Sequence, residues 1–306
     1  MNADGAATDA ARDEERGQRL PGAPEPGLMI VASGGIRVAA DDFGGSGPLV
    51  LLQRGGGQTR HAWKGAGQML ADAGYHAVSL DARGHGDSDW APDGDYSTEA
   101  LMADLAAVIA HFGGEPPVLV GASMGGGTSL TALGEDVVAA AALVLVDTAP
   151  RVEPGGIAKI RDFMAQAPDG FATLDEVAEA IANYQPHRKR PRNLDGLAKN
   201  VRLWPDGRYR WHWDPAFMQR NRELSDRIPR QEAAAHRLAE LAVPTLLVRG
   251  GLSDVLSEDG AKAFLDVVPT ARYANVGQAA HMVAGDRNDI FVAAVAEFLT
   301  EVVPLS

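Results

Sequence analysis

Gly121-Ala122-Ser123-Met124-Gly125 follows a short apolar run at residues 117–120 and opens a stretch rich in Leu and Ala. A G-x-S-x-G pattern between a strand and a helix is a nucleophile elbow, a turn sharp enough to lift a serine clear of its neighbours. Side chains at 121 and 125 would clash in so tight a turn, so both positions need a very small residue. The serine also stands at a helix N-terminus, where backbone N–H groups and the helix dipole favour developing negative charge. Outward from the elbow, apolar β-rich runs recur at residues 49–53, 76–80, 118–120, 143–146, 245–248 and 271–276. Amphipathic stretches alternate with them, two of the clearest at residues 258–267 and 288–302. Residues 28–32 and 36–40, joined by Ser33-Gly34-Gly35, read as a hairpin. Near-continuous apolar strands alternating with helices predict an α/β fold: a mainly parallel sheet with helices on both faces.

The alternation stops after Asp147 and resumes near residue 231. The span 148–230 holds helical pieces, a basic run and an aromatic cluster, and it is too long for a loop in a compact domain, so it reads as a helical insertion. The division is a tail at 1–26, a core at 27–147 and 231–306, and the insertion at 148–230. The tail has almost no large apolar residue and is expected to be disordered. It also lacks the apolar segment of an export signal, so a cytoplasmic location is the default expectation.

Composition removes several classes of function. Lys and Arg number 28 against 41 Asp and Glu, a formal charge of −13 that disfavours nucleic acid and anionic lipid. Cysteine is absent from the 306 residues, which excludes disulfides, thiolate metal sites and cysteine nucleophiles. No apolar run is long enough to span a membrane.

The elbow, the glycine loop Arg54-Gly55-Gly56-Gly57, the segment Asp81-Ala82-Arg83-Gly84-His85-Gly86-Asp87-Ser88 and the late acid–histidine spacing together resemble the α/β-hydrolase superfamily. The likeness is to its capped bacterial branch of esterases, perhydrolases and epoxide-hydrolase-like proteins, and it extends from residue 28 to about 303. It implies an α/β-hydrolase fold whose insertion is a cap, a small-molecule acyl substrate, and neither metal nor organic cofactor. Of the eight histidines, His281 alone lies in a loop after the last strand, where the family keeps its catalytic base. The base needs a carboxylate to fix its tautomer. Asp254, after the strand at 245–248, is the expected partner, and Asp147, at the end of an earlier strand, is the alternative. The family pattern places the oxyanion donors at the backbone N–H groups of Met124 and Gly56.

Arg54 stands where the family usually has histidine. It either turns outward or pairs with an acid such as Asp41, or it reaches the pocket mouth and favours substrates bearing a carboxylate. Tyr209, Trp211 and Trp213 would share one face of an extended strand and either line an apolar pocket or pack the cap itself. The basic run from His187 to Arg192 reads as a solvated cap loop. The expected activity is ester or acyl hydrolysis through an acyl-enzyme. A perhydrolase or lyase using the same triad, and a ligand-binding protein without catalysis, are the alternatives. An epoxide-hydrolase mechanism is disfavoured, because a serine cannot form the hydrolysable carboxylate ester that an aspartate nucleophile forms.

Overall fold

A computed structural model describes residues 16–186, 194–219, 224–286 and 288–305. The tail up to residue 15 and the basic run from His187 to Arg192 lie outside the described residues. The strands are β1 (Gln18–Arg19), β2 (Leu28–Val31), β3 (Arg37–Asp42), β4 (Leu49–Gln53), β5 (His76–Leu80), β6 (Val118–Ala122), β7 (Ala142–Val146), β8 (Val201–Leu203), β9 (Tyr209–Trp211), β10 (Thr245–Gly250) and β11 (Arg272–Val276). The principal helices are α1 (Lys64–Asp72), α2 (Thr98–His111), α3 (Met124–Gly134), α4 (Pro154–Met164), α5 (Leu174–Tyr184), α6 (Pro215–Gln219), α7 (Leu224–Leu241), α8 (Glu258–Val267), α9 (Val283–Asp286) and α10 (Asn288–Val302).

Eight strands form one sheet in the order β11-β10-β7-β6-β4-β5-β3-β2, parallel except where β3 pairs with β2 and β5. Every residue of β6, β7 and β10 is buried, which is why these strands read as unbroken apolar runs rather than as an alternation. Within those runs the pleat still sorts the side chains. Leu51, Leu119, Leu143 and Leu145 pack under α2, α3, α7 and α8, while Val50, Leu52, Val120 and Val144 pack under α1 and α10. Side-chain caps start several helices: Ser97 accepts from the Ala100 N–H, Thr173 from Glu176 and Ser257 from Gly260.

The insertion departs from the expected all-helical piece. Beside α4 and α5 it contains an antiparallel sheet, β1-β8-β9, and one of those strands comes from residues read as tail. Residues 16–26 are therefore partly built in: Gln18 pairs with Leu203, Arg19 with Arg202, and Leu20 is buried with Phe171, Val177 and Trp211 in the insertion's own core. Strands of two or three residues are too short to show a period in sequence. The expected boundary near residue 230 falls inside α7, which contains Pro229. A proline there forfeits one hydrogen bond near the helix start, and the helix continues.

Charged groups join insertion to core. Arg60, fully buried, contacts Asp81 at 2.6 Å, Asp87 at 2.8 Å and Asp41 at 2.8 Å. Arg202 on β8 reaches the other oxygen of Asp87 at 2.6 Å and the Gly86 carbonyl at 2.7 Å, and Arg19 lies 3.1 Å from Asp87. Burial alone would raise the Asp87 pKa, but Arg202 and Arg60 outweigh it and hold the carboxyl below its usual range. Beside this cluster the Gly86 N–H donates to His212 Nδ1 at 2.8 Å, and the Asp214 N–H donates to the Gly84 carbonyl at 2.9 Å.

Candidate active site

Ser123 sits between β6 and α3 at φ 48°, ψ −112°, a conformation that costs a non-glycine residue roughly 1–3 kcal/mol unless its surroundings hold it. Three backbone bonds do so: Ser123 N–H to the Val146 carbonyl at 3.2 Å, Gly125 N–H to Arg54 at 3.1 Å and Gly127 N–H to Ser123 at 2.9 Å. The glycines are sterically required. A Cβ at 121 would fall 2.4 Å from the Gly126 nitrogen, and one at 125 would fall 2.6 Å from Gln53 Cβ. A Cβ at 55 would stand 3.4 Å from the Ser123 hydroxyl oxygen, so the glycine loop passes directly against the nucleophile candidate.

The sheet register brings the other groups to the same end. Ala122 pairs with Val146, so Ser123 and Asp147 each follow the last paired residue of adjacent parallel strands. Gly250 pairs with Val276, and the chain after β11 carries His281 back over that edge. His281 Nδ1 lies 2.7 Å from Asp147 Oδ2. Asp147, fully buried and at φ 51°, also accepts from the Gly250 N–H at 2.8 Å and from the Ser253 hydroxyl. A carboxylate held at Nδ1 places the imidazole proton there and leaves Nε2 as the basic face.

The acid beside His281 is thus Asp147, not Asp254. Asp254 lies on the surface with its side chain 49% exposed, 2.8 Å from Lys159 of α4. Both aspartates follow strands of the same sheet, and spacing does not separate them. What does is a buried backbone turn at 147 and the polar groups of the β10 loop, Gly250 and Ser253, which converge on its carboxylate. Ser253 was missed from the sequence altogether.

Arg54 does not turn outward. It is 4% exposed, with its guanidinium carbon 4.1 Å above the centre of the Trp63 ring. Asp41 instead meets Arg60 and His61, and it lies at about 2: burial would raise it, but hydrogen bonds from His61 and Arg60 prevail. Arg54 is also not among the residues lining the cavity that opens beside Gly56.

That cavity, of about 450 Å³, lies between the glycine loop and the insertion. Gly56, Gly57 and Met282, the residue after His281, form one side, and Phe163, Trp211 and Trp213 form part of the other. Trp211 and Trp213 stack at 5.0 Å and are 7% and 4% exposed, so they line the cavity and pack the insertion's core at once. Phe217 and Met164 close over Gly56, within 3.7 Å of where its Cβ would be. Tyr184 also borders the cavity; burial and the nearby Asp254 charge push its phenol up to about 12, so it stays protonated. Among the described residues no group of three or more His, Asp or Glu could hold a metal ion, and no helix is long and apolar enough to cross a membrane.

The sequence model of the alpha/beta hydrolase fold family matches residues 48–287. The chain belongs to that family. Among similar α/β hydrolases, it is 30% identical over 246 residues to Esterase Rv0045c of Mycobacterium tuberculosis, covering 77% of this chain and 76% of that protein. A crystal structure of the same mycobacterial esterase superposes with a TM-score of 0.69 at 25% identity, covering 98% of this chain and 99% of that one. E-2-(acetamidomethylene)succinate hydrolase shares the fold with a TM-score of 0.75 at 22% identity, over 89% of this chain and 98% of its own.

Proposed function

We propose that this α/β hydrolase is a serine enzyme that cleaves a carboxylic ester or related acyl compound through an acyl-enzyme. The observation that carries this reading is the His281–Asp147 contact of 2.7 Å at the sheet end where the strained Ser123 stands. Ser123 attacks the acyl carbon while His281 Nε2 takes its proton. Asp147 holds the imidazole in the productive tautomer and stabilises the imidazolium that forms. The N–H groups of Met124 and Gly56 receive the oxyanion; that of Met124, at the first position of α3, has no partner within its helix. His281 then protonates the leaving group, and water attacks the acyl-enzyme with His281 again as base. The insertion acts as a cap, its Phe217 and Met164 excluding water above Gly56.

The esterase similarity favours ester substrates over the other chemistries open to a serine triad. A fluorophosphonate should label Ser123 stoichiometrically in the intact chain and fail to label Ser123→Ala. Turnover of short p-nitrophenyl esters should fall about 10³-fold or more in that variant. Indifference to the reagent, together with no turnover of esters of any chain length, would sink the proposal.

A further inference from the structure

The carboxylate of Asp147 is held from two sides at once. Its Oδ2 lies 2.7 Å from His281 Nδ1, and the same oxygen accepts from the Ser253 hydroxyl. Its Oδ1 accepts from the Gly250 N–H at 2.8 Å. The Ser253 hydroxyl is itself oriented. Its oxygen accepts from the Val255 N–H at 3.1 Å and from the Leu256 N–H at 3.2 Å. With both lone pairs engaged, the one hydroxyl proton is left for Asp147. The loop after β10 that presents Ser253 is tied back in turn. The Ser253 N–H donates to the Gly250 carbonyl at 3.0 Å, and the Leu252 N–H donates to the Ala279 carbonyl at 2.9 Å. Ala279 stands two residues before His281, so one loop braces both the acid and the histidine. The next residue, Asp254, turns away to Lys159 on the surface. A fully buried carboxylate with an empty acceptor site pays for its lost water and is free to turn, which would draw Oδ2 away from the imidazole. A fixed hydroxyl fills that site with a charge-assisted bond and stops the turn.

We propose that Ser253 is a positioning residue whose hydroxyl holds Asp147 Oδ2 in line with His281 Nδ1. The loop after β10 then supplies a hydrogen bond to the acid rather than the acid itself. The kinetic part of this inference rests on the serine-hydrolase reading above; the positioning part does not. Ser253→Ala should lower kcat for p-nitrophenyl acetate about tenfold with KM little changed, the loss expected for one hydrogen bond to a charged group. Ser253→Thr keeps the hydroxyl and should restore most of the rate. In Asp147→Asn the same Ser253→Ala change should cost less than about twofold more, because the two side chains act as a unit. A role confined to folding the loop would instead cost the same in both backgrounds. Proton NMR should show the His281 Nδ1 proton far downfield, absent from His281→Ala, displaced in Ser253→Ala and returned by Ser253→Thr. Turnover within twofold of wild type in Ser253→Ala with that resonance unmoved, or a tenfold loss repeated in full on Asp147→Asn, overturns the inference. If no ester turns over and Ser123 resists fluorophosphonate while the resonance still follows Ser253, the serine-hydrolase reading falls and the positioning role stands.

Discussion

The core and the cap of this molecule are held together by different means. In the core, apolar residues of β4, β6, β7 and β10 fill both faces of the sheet, and its helices cover them with Leu, Val, Ala and Phe. The cap has a small apolar cluster of its own around Trp211 and Trp213, and its junction with the core adds charged and polar contacts to the packing of Ala216 and Phe217 against Tyr96. Arg202 meets Asp87, His212 meets the Gly86 amide, and Tyr96 donates to Asp214. Apolar burial is non-directional and tolerates small shifts, whereas a buried ion pair fixes geometry and costs heavily when one member is removed. The core thus carries the strained serine on a sheet packed on both faces, and the cap is set on it by directional polar contacts beside a smaller apolar one.

The largest expected effect sharpens the comparison within the core. Asp147→Asn should lower kcat by about 10³–10⁴-fold with little change in KM, because the amide stabilises the wrong tautomer of His281. Asp254→Asn, whose exposed carboxylate pairs with Lys159, should stay within about twofold, surface pairs being worth roughly 0–1 kcal/mol. Ester kinetics on the two variants, side by side, decide which aspartate serves the histidine; equal losses would break the assignment.

The second effect breaks the junction. Arg202→Met removes one cation from Asp87 and should cost about 3–5 kcal/mol, the range for breaking a buried pair. Hydrogen exchange should then quicken at β8 and β9 while the β6 amides keep their protection. Uniform quickening throughout the chain would mean that cap and core unfold as one body.

The smallest effect is pH-dependent. Burial, with help from the neighbouring His85 and Arg202, pushes His212 well below its usual 6.5, so it is neutral in the folded chain and accepts from Gly86. The unfolded chain protonates this histidine near pH 6.5 and therefore binds more protons below that point. Stability from this group is complete above about pH 6.5 and declines as pH falls towards the depressed folded pKa, by at most about 1.4 kcal/mol per pH unit. Denaturant unfolding at pH 5 and pH 7 should show this decline, flattened by one proton in His212→Asn.

Much of the core was legible in sequence for a physical reason. The strands at 49–53 and 76–80 and the helices at 258–267 and 288–302 are long apolar or amphipathic segments bounded by turn residues, and burial on two faces leaves little freedom in what they can be. The elbow was equally plain, since Gly121 and Gly125 answer to contacts under 3 Å. Less of the site could be read. Asp147 and Asp254 differ in side-chain direction, which spacing does not encode, and Ser253 matters only because β10 runs beside β7. Arg54 was open to an outward, paired or specificity reading, and its contact with Trp63, nine positions on, left no trace in the spacing. The cap's strands, at most three residues each, had no period to detect.

The pairing of Gln18 and Arg19 with Arg202 and Leu203 makes the lid a composite of two distant stretches of chain. Grafting this lid onto another hydrolase as one continuous cassette would leave a strand behind. Trimming the first two dozen residues to ease crystallisation or fusion would in turn strip β8 of its partner strand, far along the polypeptide from the cut.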